Sequence, residues 1–176
     1  MIRILVTTGM MNAAIARASR RTRQREGNAL RLNCRPDYEI IGFLGVEVVK
    51  KYFNETNVNF EEFDDGYDKA NTGDKYDLLV LNASSRVKLR VDVKTSKKYR
   101  TICVNERQYE KAQKNVDILI GVYLESDNWA VVTGYCKPIN LHRDSDKDFE
   151  FDGKTKKMYS CSNDSLSRFK ENDIVI

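Results

Sequence analysis

At 176 residues with 41% apolar content, the chain suits one domain with its own core, and wholesale disorder is excluded. No window approaches 18 uninterrupted apolar residues, so no membrane-spanning helix is expected. The net charge of +4 is unevenly spread: residues 1–36 hold eight arginines against one acid, Glu26, for a local charge of +7, and the remainder carries −3.

A basic arm on a slightly acidic body suits a polyanionic partner, because neutralising phosphates releases counterions. An Arg-rich targeting peptide or a solvated helix has the same composition, and both stay open. A secretory signal fits poorly, since Thr7, Thr8 and Gly9 interrupt the apolar stretch. Cys34, Cys103, Cys136 and Cys161 are scattered and form no C-x-x-C pair, so they read as reduced thiols of a cytoplasmic protein. The only histidine, His142, lies beside Arg143 in a polar stretch and reads as a surface residue. One histidine excludes a His-based nucleophile relay, and it leaves no paired zinc-ligand set.

In chain order, Ile2 to Val6 reads as a short strand, followed by a basic, helical segment to about Leu32. Pro36 and Asp37 mark a helix start with Asp37 as N-cap, and the apolar residues between Tyr38 and Phe53 recur at helical spacing. Residues 54–75 read as loop with one strand around Val58–Phe63. Two strand patterns follow, Asp77–Leu81 and Val87–Thr95, joined by the polar turn Ala83–Arg86. A helix opens at Asn105 and reaches about Asn115; Asp117–Leu124 and Trp129–Cys136 are apolar strands. The last forty residues predict a hairpin around Asp152 and Gly153, a short helix near Ser165–Phe169 and a terminal strand Asp173–Ile176. The expected fold is α/β (α+β): a central mixed sheet flanked by helices. The single domain divides into a basic helical arm (1–36), a core (37–136) and a small β-rich C-terminal extension (137–176).

Alternation along Val87–Thr95 places Asp92 and Lys94 on one face, roughly 7 Å apart. A four-residue turn pairing Asn82 with Val87 brings Asp77 directly opposite Asp92. Like charges in that position are destabilising. A divalent cation between them removes the penalty, and Mg²⁺ binds through one or two carboxylates while keeping several waters. A lysine beside such a site can stabilise a phosphate or help orient and deprotonate a water. The bland alternative is an exposed sheet face on which Asp92 pairs with Lys94 or Arg90. Glu47 lies on or beside the apolar stripe of its helix, so it needs a partner, either a metal-bound water or Lys50 or Lys51. Gly42 and Gly45 would let that helix approach a sheet closely. Gln108 with Asn105 has the spacing of a capping box. Lys97, Lys98 and Arg100 either contact backbone phosphates or form a solvated loop.

The succession Gly42-Phe43-Leu44-Gly45-Val46-Glu47, Tyr76-Asp77-Leu78-Leu79-Val80, Val91-Asp92-Val93-Lys94-Thr95-Ser96, Asn105–Ala112 and the strand to Leu124 resembles the PD-(D/E)XK nuclease superfamily. Tyr76 stands where the motif name has proline. The resemblance covers roughly residues 38–136 and implies a restriction-endonuclease-like core of helix, strand, strand, helix and strand. It further implies that Asp77, Asp92 and the Val93 carbonyl ligate Mg²⁺, with Mn²⁺ able to substitute. Lys94 would then position or activate water, Glu47 would hold a metal-bound water or second ion, and Gln108 would be a helpful polar residue. The expected activity is a metal-dependent nuclease, taken as a DNA endonuclease, that leaves a 5′-phosphate and a 3′-hydroxyl. An RNA-acting nuclease, a catalytically weak nucleic-acid-binding module and a scaffold protein with an accidental charged face are the alternatives. A homodimer cutting both strands is compatible, although no heptad or interface patch demands it.

Overall fold

Alternating apolar side chains on the central strands build a mixed sheet with helices on its faces, in a computed structural model that describes residues 1–26, 36–63, 76–81, 88–151, 153–161 and 166–167. The first elements are strand β1 (Ile2–Leu5), helix α1 (Thr8–Glu26), helix α2 (Pro36–Glu55) and strand β2 (Phe60–Glu62). They are followed by β3 (Leu78–Leu81), β4 (Lys88–Ser96), β5 (Cys103–Asn105), α3 (Glu106–Asn115), β6 (Ile118–Leu124) and β7 (Trp129–Cys136). Beyond β7 lie β8 (His142–Arg143), β9 (Phe149–Phe151), β10 (Lys154–Lys156) and β11 (Met158–Ser160). The six-stranded sheet runs β1-β7-β6-β4-β3-β2. Among the described residues only β4 and β6 pair in parallel, and they are joined by the crossover through β5 and α3.

The sheet separates two cores. Leu78, Val80, Val91, Val93, Ile118 and Ile120 point to one face and are buried under α2 and α1. On the other face Leu119 packs with Ile102, Val104, Ala112, Leu141 and Cys161, beneath α3 and a second sheet of order β5-β11-β8. Asp92 is the register partner of Leu119, so its side chain belongs to this second face.

Helix α1 is no free arm. Met10, Ala14 and Ala18, spaced four apart, are all buried against α2. The guanidiniums of Arg17 and Arg21 lie over the ring of Phe43, each 4.7 Å from its centroid. Part of the basic charge therefore serves packing. Helix α2 starts at Pro36, so Asp37 sits in its first turn rather than at the cap. Gly45 lets α2 touch β4, because a Cβ there would lie 1.8 Å from Thr95 Oγ1; Gly42 has no such neighbour within 4 Å.

The extension is woven into the domain. Strand β11 pairs with β5 (Met158 with Asn105) and with β8, while β9 and β10 form the hairpin expected around Gly153. Ser167 forms a bridge with Tyr135 where a helix was expected, because that backbone finds its partners in β7. The helical expectation for 27–32, the turn 82–87 and the terminal strand 173–176 lie outside the described residues. Among the described residues no helix is long and apolar enough to cross a membrane.

Candidate active site

Strands β3 and β4 pair in the register expected from the sequence: Leu78 faces Val91 and Leu81 faces Lys88. At Asp77 the ladder changes. Its N–H donates to the Val91 carbonyl (2.8 Å), and its carboxylate accepts from the Val93 N–H (2.7 Å). The carboxylate thus occupies the place of a ladder partner just past the end of β3. The N–H and C=O of one strand residue point the same way, so the Val93 carbonyl is directed to that same edge.

Asp77, Asp92 and Lys94 come together on the face opposite α2. Lys94 Nζ is 2.7 Å from an Asp92 oxygen, and both side chains keep only 19% of their surface accessible. Burial, and then the charge of Asp92, push the Asp77 carboxyl up to about 7, against the pull of Lys94 and of the Val93 N–H. Burial alone would lower the Lys94 ammonium, but Asp92 and Asp77 hold it above the ordinary lysine value. Lys94 thus stands as the charged partner of Asp92.

A fourth group was not foreseen. Lys111 on α3 is half-buried; burial lowers its pKa, while Asp92 and Asp77 raise it and Lys94 and Arg21 oppose them. Its charge is thus felt by the same two carboxylates. The sequence holds a faint signal: Lys111 is one residue from buried Ala112, at the margin of the helix face that docks.

Glu47 is placed elsewhere. It lies on α2, where its carboxylate accepts from Lys50 (2.9 Å) and sits 3.8 Å from Arg17, in a network that also contains Glu62 of β2. Of its two expected kinds of partner, the structure supplies the lysine. Gln108 closes the capping box of α3: its N–H donates to Asn105 Oδ1 (3.0 Å) and its Oε1 accepts from the Asn105 N–H (3.2 Å). Arg90, the other candidate partner of Asp92, pairs instead with Asp117, to which its Nε, its Nη2 and its backbone N–H all donate. Among the described residues no three carboxylate, thiol or imidazole groups gather as one ligand set.

Lys97, Lys98 and Arg100 are exposed beyond β4. Lys98 Nζ lies 5.0 Å from the Tyr99 ring centroid, and Arg100 lies over Tyr123 at 5.1 Å. No family model, no curated protein and no solved structure matches the chain.

Proposed function

We propose that the protein is a metal-dependent nuclease that hydrolyses phosphodiester bonds, with DNA as its substrate. The observation that carries this reading is the pair of carboxylates, Asp77 and Asp92, held against each other in a largely buried place with Lys94 beside them. Two carboxylates and the carbonyl edge at Val93 suit Mg²⁺, which needs few protein ligands and retains waters. When bound, such an ion supplies charge stabilisation at the phosphate and an acidified water.

The chain's own groups define the remaining roles. Asp77, fixed by the Val93 N–H, and Asp92, fixed by Lys94, would hold the ion with their spare oxygens. Lys94 would present its ammonium toward the phosphate, with Lys111 of α3 as a second cation. Water adds to phosphorus as the bond to the 3′ oxygen breaks; that oxygen leaves as the hydroxyl and the phosphate stays on the 5′ side. Glu47 and Gln108 are assigned no step, because Lys50 and Asn105 already engage their oxygens.

The close Asp92–Lys94 pair favours a second reading, a nucleic-acid-binding module whose charged trio satisfies itself without metal. Plasmid, single-stranded DNA and RNA incubated with Mg²⁺, Mn²⁺ or EDTA separate the two. The nuclease reading expects metal-dependent cleavage that Asp92→Ala and Lys94→Ala abolish while the fold persists. Binding with no cleavage of any substrate under either metal would establish the module instead.

A further inference from the structure

A cavity of ≈ 330 Å³ opens on the same side of the central sheet as the candidate active site, lined by Thr101, His142, Arg143, Asp144, Lys147, Ser160 and Cys161. It lies at the lower end of ligand-pocket sizes, roughly 300–1,000 Å³, and suits one small planar group rather than a macromolecular element. We propose that this cavity seats one unstacked base of the substrate strand, with Tyr99 at its mouth as a stacking surface. The inference rests on nucleic acid being the ligand, as the proposed function has it.

Charge argues for a base over a phosphate. Arg143 is neutralised by Asp148, which it meets with both guanidinium arms, and it also donates to the Met158 carbonyl (3.2 Å). Lys147 is neutralised by Asp144. No excess positive charge is left to hold an anion, and a phosphate would face the Asp144 carboxylate. The hydrogen-bonding capacity that remains is mixed. Lys147 has three donors and uses two, on Asp144 and on Ser160 Oγ (3.2 Å). Asp144 accepts from Lys147 and from the Ser160 hydroxyl, which leaves it further lone pairs. A donor next to an acceptor matches the edge of a nucleobase. Both groups are fixed before any ligand arrives, so little ordering is needed on binding.

Position connects the cavity to the reaction centre. Ser96 shares its strand face with Asp92 and Lys94, roughly 7 Å beyond Lys94. Its hydroxyl accepts from the Tyr99 N–H (2.8 Å), which anchors Tyr99 at the end of the catalytic strand. The half-exposed Tyr99 ring has Lys98 on it and also Lys147, 5.7 Å from the centroid, so the ring and the cavity share a wall. Basic groups interleaved with an accessible aromatic are the recurring means of holding a single strand. A paired base enters only after unpairing and unstacking, which costs free energy, so the cavity favours unpaired nucleotides near the bond to be cut.

The test uses the full chain in EDTA, where binding is read without cleavage. Fluorescence anisotropy of labelled oligonucleotides compares single strands with duplexes of the same sequence. The expectation is tighter single-strand binding, which Tyr99→Leu and Lys147→Met each weaken roughly tenfold, the scale of one base–aromatic stack. Lys51→Ala, on the opposite face, leaves it unchanged. In the unaltered protein, 2-aminopurine moved along the strand should be quenched at one position, and an abasic site there should erase the effect of Tyr99→Leu. Equal losses on duplex and single strand, wild-type affinity in both variants, or a quench independent of position would each overturn the proposal. A chain that shows the positional quench but never cleaves with Mg²⁺ would retain the base site and lose the nuclease reading.

Discussion

Asp77→Asn should make the metal-free protein more stable at pH 8 while removing its activity. An unfolded aspartate ionises near 3.8 and the folded Asp77 at about 7, a difference of about 3 pH units. At about 1.4 kcal/mol per unit, ionised Asp77 costs the fold up to about 4 kcal/mol at pH 8. That cost is already net of the pull of Lys94 and of the Val93 N–H; the neutral amide removes it, and seating an NH2 group among partners arranged for a carboxyl offsets about half. A net gain of about 2 kcal/mol corresponds to roughly 4–8 °C in Tm for a domain of this size. The sign depends on pH. A raised folded pKa means that the wild-type carboxyl is protonated in the fold between about 4 and 7, so wild-type stability climbs as pH falls through 7, and the advantage of the variant shrinks by pH 5. Melting curves in EDTA at pH 5, 6, 7 and 8 read both effects. A lower Tm for Asp77→Asn at pH 8, or a difference that does not vary with pH, would refute the electrostatic account of this site.

Millimolar Mg²⁺ or Mn²⁺ should raise the wild-type Tm at pH 8 and leave Asp77→Asn unmoved, which differential scanning fluorimetry checks. Gly45→Ala should destabilise by about 1–3 kcal/mol, since the new methyl meets Thr95 Oγ1 at 1.8 Å, whereas Gly42→Ala, with nothing within 4 Å, should gain up to about 1 kcal/mol; urea melts of the two rank them. Gln108→Ala should cost about 1 kcal/mol of stability by opening the capping box and leave the cleavage rate near wild type; a loss of cleavage without loss of stability would return Gln108 to the reaction. Lys111→Met should reduce cleavage while preserving the fold, and unchanged steady-state rates would remove Lys111 from the centre.

How far the sequence reveals this molecule depends on how local each feature is. The register of β3 with β4 is legible from side-chain alternation within two neighbouring strands, and the capping box of α3 is written within four residues. Strands β5 and β11 have three residues each and no strand pattern of their own. They exist because Met158 and Asn105 meet across more than fifty residues, which no local window reports. The docking of α1 had a trace in Met10, Ala14 and Ala18, but alanine carries too little apolar surface to outweigh the arginines around it. Lys111 joins the two aspartates only after α3 has settled on the sheet, so its role is tertiary. Glu47 shows the converse: its place beside an apolar stripe correctly signalled a need for a partner, and a lysine one turn away met that need.

Strand β11 is the central strand of its small sheet, with β5 and β8 as its edges. During synthesis, residues 103–105 must therefore wait for residues 158–160 before they gain a neighbour, on the order of several seconds at usual elongation speeds. The layer that backs the aspartates closes late, after the α2 side of the sheet has every strand it needs. A ribosome stalled between these two segments would hold a chain whose carboxylates are already paired but whose covering wall is unfinished.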